Sequence, residues 1–163
     1  MVNQATLKSI MHYSPDTGEF RRHCGALAGG MSKHPKGKVY WKIEILGDRY
    51  LAHRLAWLYV YGEFPRHQID HIDGNGLNNK ISNLRDVTPM ENSRNQRRRK
   101  DNTSGCTGVR YYEAKKKFTA QIREGGKQKH LGYFQDIEDA IAARKLAEKR
   151  LGYHSNHGTK RAL

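Results

Sequence analysis

Cysteine is nearly missing from this chain. Cys24 and Cys106 are its only two, too few for a disulfide framework or a four-cysteine zinc site. Long apolar runs are missing as well. The longest apolar cluster, Leu55 to Tyr61, falls far short of the roughly 20 residues that a membrane-spanning helix needs. The N-terminal Met-Val-Asn-Gln-Ala-Thr-Leu-Lys lacks the apolar core of a signal peptide. These absences point away from a membrane protein, a disulfide-stapled secreted protein and a zinc finger. Acidic residues are scarce too: 16 Asp and Glu stand against 30 Lys and Arg, a formal charge of +14 over 163 residues. The expectation is a soluble protein of a reducing compartment that attracts polyanions.

The positive charge is layered along the chain. Residues 1–88 hold 12 basic and 8 acidic side chains, residues 89–105 hold 5 and 2, and residues 106–163 hold 13 and 6. In the last segment the acids gather at Asp136, Glu138 and Asp139, where a helix start is expected. The remainder of that segment is therefore more positive than its net value. Such a layout suits phosphate contacts, each of which releases counterions on binding, and nucleic acid is the favoured partner.

Leu7 to Met11 reads as a short amphipathic helix, followed by a turn at Ser14-Pro15-Asp16-Thr17-Gly18. Phe20 to Met31 reads as irregular. Val39, Trp41, Ile43 and Ile45 alternate with polar residues, a half-buried strand that turns at Gly47-Asp48 and returns to Leu51. Leu55, Leu58 and Tyr59 share one face of a helix over 52–61, ended by Gly62 and Pro65. A strand over 68–72, a loop of Asp, Gly and Asn, and a strand over 83–87 follow. Thr88-Pro89-Met90-Glu91 has the form of a helix start with a capping box. That helix is expected to carry Asn92, Arg94 and Asn95 into the run Arg97-Arg98-Arg99-Lys100.

Phosphodiester hydrolysis needs a base to activate water and a cation to stabilise developing negative charge. Asp70-His71-Ile72-Asp73-Gly74-Asn75, Asn83-Leu84-Arg85 and Glu91-Asn92 hold residues of that kind. A histidine near its ordinary pKa is largely neutral at pH 7 and can take the proton of water. Asp carboxylate and Asn amide oxygens suit a hard Mg²⁺ ion. As strand neighbours, Asp70 and His71 begin on opposite faces. Asn92 could fold back against Asp70, and Asn83 suits holding the loop shut. His53 is read either as a packing residue beside Trp57 or as an accessory group near the phosphate.

This set resembles the HNH nuclease family, and the resemblance implies a ββα-metal core over about 67–99. In that reading His71 is the general base, Asn83 the loop-fastening catalytic residue, and Asp70 and Asn92 ligands of one divalent metal. Mg²⁺ is expected, with Mn²⁺ able to substitute, and no zinc. Tyr13–Gly18, 52–57 and 61–65 are similar to words that precede the motif in phage-type, homing-related members. The resemblance therefore implies residence in a bacterial host's cytoplasm.

Asp101-Asn102-Thr103-Ser104-Gly105 reads as a linker. Beyond it, 108–112, 118–123 and 128–134 read as three antiparallel strands, and a helix runs from Asp136 to about Leu151. Arg110, Tyr112, Gln121, Arg123 and His130 would share the sheet face turned away from the helix. A sheet in the major groove reads bases with such groups while lysines contact phosphates. Ser104-Gly105, Gly108-Val109-Arg110, Phe118 to Arg123, Leu131 to Phe134 and Glu138-Asp139-Ala140 resemble the plant ethylene-response-factor (AP-two) DNA-binding domain. Tyr112, Ala114 and His130 depart from residues common in plant members, so plant base specificity does not carry over.

Together these readings predict an α+β protein. Residues 1–100 would form a nuclease domain, its ββα core preceded by a small α/β region. Residues 101–105 would be the linker. Residues 106–163 would form a three-stranded antiparallel sheet packed on one helix. The expected activity is metal-dependent, homing-type cleavage of double-stranded DNA. Its rival is a binding-only regulator with an inactive nuclease core. Arg94, Arg97, Arg98, Arg99 and Lys100 would grip the duplex. No dimerisation element is visible, so a monomer is favoured, and no membrane association is expected.

Overall fold

The computed structural model describes residues 2–35, 37–94, 98 and 100–159. It divides into two compact units, one up to Asn92 and one from Ser93 onward. Among the described residues, no helix is long and apolar enough to cross a membrane.

In the first unit, α1 (Gln4–Ile10) is capped by Asn3, whose side chain accepts the N–H of Thr6 at 2.8 Å. The helix ends one residue earlier than its apolar pattern suggests, because Met11 already belongs to strand β1 (Met11–Ser14). β1 pairs antiparallel with β2 (Glu19–Arg22) around the Ser14–Gly18 turn. Strand β3 (Gly30–Lys33) joins β4 (Val39–Ile45) and β5 (Asp48–Leu51) in a second sheet, ordered β3-β4-β5. The segment expected to be irregular, Phe20 to Met31, thus contributes to both β2 and β3. Apolar alternation did not reveal either strand: β2 buries only Phe20, and Met31 on β3 is 70% exposed.

α2 (Ala52–Tyr61) follows β5 directly and ends at Gly62, whose φ of 86° supplies the left-handed cap. Its residues Leu55, Ala56 and Leu58 meet Leu7, Met11, Tyr13, Phe20 and Ile43 in one core. Strand β6 (Gln68–His71) then pairs antiparallel with β7 (Leu84–Val87). Thr88 and Glu91 exchange hydrogen bonds at the start of α3 (Pro89–Ser93), as a capping box requires. The described helix stops at Ser93. Asn95, Arg97 and Arg99 lie outside the described residues.

The second unit is an antiparallel sheet, ordered β10-β9-β8, formed by β8 (Val109–Tyr112), β9 (Lys117–Glu124) and β10 (Lys127–Phe134). α4 (Ile137–Arg150) packs on it, burying Ala140 against Val109, Ala120 and Cys106. Asp136 precedes α4 without a side-chain capping bond. Segment 101–105 folds onto this unit and does not span between the two. Ser104 Oγ donates to the carbonyls of Cys106 and Val109, Asn102 Nδ2 donates to Cys106, and Arg98 bonds the carbonyl of Gly105. Once these polar side chains bond local backbone, the segment is a folded edge, and the break between units falls ahead of it.

Candidate active site

Cross-strand register positions the first group. Asp70 lies opposite Arg85 in the β6–β7 ladder, and Arg85 donates from Nε at 2.9 Å and from its terminal NH₂ group at 2.7 Å, both to Asp70 Oδ2. The pair is half-buried and charge-assisted. Asn92, one turn into α3, lies on the same side of β6, but its Nδ2 donates to Gln68 Oε1 at 2.8 Å. Asn92 is thus bonded to the residue two positions before Asp70, which shares Asp70's strand face, and both Asn92 and Asp70 line the same cleft.

His71 closes β6 and is 6% exposed. Its Nε2 lies 3.3 Å from Asn79 Oδ1. A carbonyl oxygen only accepts, so Nε2 carries the proton and Nδ1 keeps the lone pair. Burial lowers the His71 pKa below the ordinary histidine value. The Asn79 bond and the charges of Asp73 and Asp70 oppose that effect without reversing it. At neutral pH the imidazole is therefore uncharged, with its tautomer set by Asn79.

Asn83 holds the intervening loop at three points. Its Nδ2 donates to Asp73 Oδ1 at 3.0 Å and to the Asn78 carbonyl at 2.8 Å, while its Oδ1 accepts the Asp73 N–H at 3.0 Å. Burial works to raise the Asp73 carboxyl, but hydrogen bonds from Asn78, the Asn75 N–H and Asn83 outweigh it and hold the group below the usual range.

The Tyr13–Gly18 turn braces the same loop from outside the ββα unit. Tyr13 donates its hydroxyl to the Asn79 carbonyl at 2.7 Å, and the Pro15 carbonyl accepts the Ile81 N–H at 3.2 Å. Gly18 has a φ of +77°, and a Cβ there would stand 2.5 Å from the Asn79–Lys80 backbone. Only glycine tolerates both the conformation and the approach. Asn79, the residue that orients His71, reads in the sequence only as one of several loop asparagines. Its role depends on Tyr13, 66 positions away.

His53, on α2, is also 6% exposed, and its ring meets His71 edge-on with centroids 5.0 Å apart. Its Nδ1 is buried without a hydrogen-bond partner among the described residues. Burial first, then the charges of His71 and Arg54, push its pKa down to about 3. An unfolded histidine protonates near 6.5. Between those values the unfolded chain binds more protons, so stability is expected to fall as pH drops from about 6.5 toward 3. The slope from this one group reaches at most about 1.4 kcal/mol per pH unit. Denaturant titrations at pH 7, 6 and 5 should show a shallower loss for His53→Gln than for the wild type. Parallel losses would contradict a neutral buried His53.

Asp70, His71 and Asn92 all line one cleft of about 410 Å³. Met31, Lys38 and Tyr40, from the β3–β4 hairpin, line its other side. No trio of His, Cys, Asp or Glu among the described residues is grouped to hold a cation by itself. The cleft therefore combines an uncharged imidazole, a carboxylate, an amide and a lysine.

The chain belongs to the HNH endonuclease family. Residues 50–94, from β5 to just past α3, match the family model described as HNH endonuclease. Relatives come from phages and prophages. Protein 3.8 of Escherichia phage T7 is 36% identical over 91 residues, covering 55% of this chain and 74% of that protein. YosQ, an SPbeta prophage-derived protein of Bacillus subtilis (strain 168) whose name assigns it to the HNH homing endonucleases, is 49% identical over 47 residues. That stretch is 28% of this chain and 27% of YosQ. A solved structure concerning DNA binding and cleavage by the HNH homing endonuclease I-HmuI aligns with a TM-score of 0.41 and 28% identity. It covers 53% of this chain and 51% of the other, so this chain spans about half of that protein's length.

In the second unit, Arg110, Gln121 and His130 line one shallow concavity of about 540 Å³ together with Gln128. Gln128 bonds the Gln121 side chain, and His130 Nδ1 lies 3.2 Å from Thr119 Oγ1. Tyr112 stands beside Tyr133 with ring centroids 5.8 Å apart, and Lys115 lies 3.9 Å above the Tyr133 ring. Arg123 is exposed and bonds the Gly126 carbonyl at 3.1 Å. From the basic run, Arg94 lies over the Tyr153 ring at 5.4 Å and Arg98 bonds Gly105, so both are folded onto this unit. Lys100 is exposed, and Arg97 and Arg99 lie outside the described residues.

Proposed function

We propose that this chain is a metal-dependent, homing-type endonuclease of double-stranded DNA. The observation that carries the reading is the convergence of His71, Asp70 and Asn92 on one cleft. His71 is neutral with its lone pair on Nδ1, the state a general base needs. Water attacks phosphorus, one P–O bond to a deoxyribose oxygen breaks, the proton of water passes to His71, and the leaving oxygen takes a proton from solvent.

The donor chemistry beside His71 suits a hard divalent cation. Asp70 offers carboxylate oxygen, and Asn92, with Nδ2 held by Gln68, offers its amide oxygen. With only these protein donors, substrate phosphate and water would complete the shell. When bound, Mg²⁺ or Mn²⁺ would neutralise phosphate charge and stabilise the leaving oxygen. Asn83 keeps the loop closed beneath the base, and Asn79 holds the base in its working tautomer.

Supercoiled plasmid and a genomic library, incubated with Mg²⁺ or Mn²⁺ and with chelator, test the reading. Nicked or linear product that disappears with chelator supports it. Binding without cleavage in either metal would point to a DNA regulator instead.

The second unit is proposed to deliver the nuclease to its site. The concave sheet face groups an arginine, two glutamines and a histidine, a donor and acceptor set fit for base edges. Its net positive charge supplies phosphate affinity. Arg110→Ala is expected to cost about 1–3 kcal/mol of site preference. A binding selection that returns the same preferred sequence with the same discrimination would remove Arg110 from that role.

A further inference from the structure

We propose that Lys38, in the turn of the β3–β4 hairpin, is the cationic side chain that meets the scissile phosphate. The proposal rests on the nuclease reading of the cleft and adds a group from outside the matched segment, which begins at residue 50. Lys38 lines the cleft together with His71, Asp70 and Asn92. Arg85, the cation on β7, already holds Asp70. No ion pair among the described residues engages the Lys38 ammonium, and the side chain is exposed at the cleft.

Backbone contacts fix where this lysine starts. The His34 N–H donates to the Lys38 carbonyl at 2.7 Å, closing the hairpin turn. Just beyond, the Asp73–Asn79 loop is pressed onto β4. A Cβ on Gly76 would stand 2.4 Å from the Val39 carbonyl and 2.8 Å from the Tyr40 ring. The Tyr40 ring in turn lies 6.2 Å from that of His71. The chain leading out of Lys38 is therefore locked to the loop whose Asn79 orients the base, while the four-carbon stem is exposed and able to reach a phosphate.

Charge supplies the chemistry. As water adds to phosphorus, negative charge grows on the phosphoryl oxygens, and a positioned cation stabilises that growth more than it stabilises the bound substrate. Lys38 exchanges no proton in this scheme. The proton of water goes to His71, and the leaving oxygen is protonated from solvent.

The test is single-turnover cleavage of a duplex that the wild-type chain cuts, with saturating Mg²⁺. Lys38→Met should slow the chemical step by about 10²-fold, the scale of one lost charge-stabilising donor, with duplex affinity within about 3-fold, the size of one rim phosphate contact. Lys38→Arg should recover most of the rate, and Lys38→Gln serves if the Met variant fails to fold. A Met variant within about 3-fold of the wild-type rate, well under one donor's effect, would overturn the assignment. So would a rate loss fully matched by lost binding. His71→Ala run in parallel separates the two levels of inference. If His71→Ala is inactive while Lys38→Met cuts normally, only the role of Lys38 falls. If His71→Ala cuts as the wild type does, or if the wild type cuts no duplex at all, the nuclease reading falls and Lys38 with it.

Discussion

Replacing His71 with alanine is expected to slow DNA cleavage by roughly 10²–10⁴-fold, the usual contribution of a general base. The expectation follows from what the ring lacks as much as from what it has. Burial keeps it uncharged, and Nε2 donates its N–H to Asn79 Oδ1, so the lone pair on Nδ1 is left to accept a proton from water. Alanine removes that acceptor and leaves the Asp70–Arg85 pair intact, because that pair closes across the β6–β7 ladder without His71. Duplex affinity should therefore change little. Single-turnover nicking measured beside a filter-binding titration checks both halves. Equal cleavage by the variant and the wild type would exclude His71 as the base. A variant that lost binding as steeply as cleavage would point instead to a role in holding substrate.

Asn83→Ala is the second large effect, and it should register in stability as well as in rate. The side chain is 9% exposed and makes three hydrogen bonds that tie Asp73 and Asn78 to the start of β7. Each is worth about 1 kcal/mol, with more lost where a partner stays buried and unpaired. A loss of about 2–4 kcal/mol in urea unfolding is therefore expected. Cleavage by the fraction that remains folded should fall further, because the loop also carries Asn79 and through it the tautomer of His71. Asn83→Asp sharpens the test. It keeps an acceptor for the Asp73 N–H but brings a second carboxylate against Asp73 Oδ1, so it should be no better tolerated than alanine at neutral pH. Stability within 0.5 kcal/mol of the wild type for both variants, the ordinary range for a surface substitution, would show that the loop is closed by other means.

Where the strands and helices run was largely legible in the residues. Alternation of Val39, Trp41, Ile43 and Ile45 marked β4, and Thr88 with Glu91 marked the start of α3 through a mechanism entirely local to four residues. The sheet of the second unit was legible for the same reason, since its turns and apolar alternation lie close together in sequence. β2 and β3 were not. Each is four residues long and lacks apolar alternation, although its partner lies just across a short turn: β2 buries only Phe20, and Met31 on β3 is exposed. The candidate site divides in the same way. Asp70, His71, Asn83 and Asn92 stand out because a motif gathers them within 23 positions. Asn79, Lys38 and the pairing of Asp70 with Arg85 become visible only when register and tertiary contact are known. Arg85 came nearest to legibility, since a two-stranded ladder places some residue opposite Asp70 and its sign could be guessed from charge.

The brace between Tyr13 and Asn79 also bears on how the protein is made. During synthesis the N-terminal hairpin leaves the ribosome well before the asparagine it must hold, and closing so wide a span is slow relative to forming neighbouring turns. A nascent or N-terminally truncated chain can hold the HNH motif and still have a loosely aimed imidazole. In the proposed scheme, competence to cut would therefore arrive late in folding.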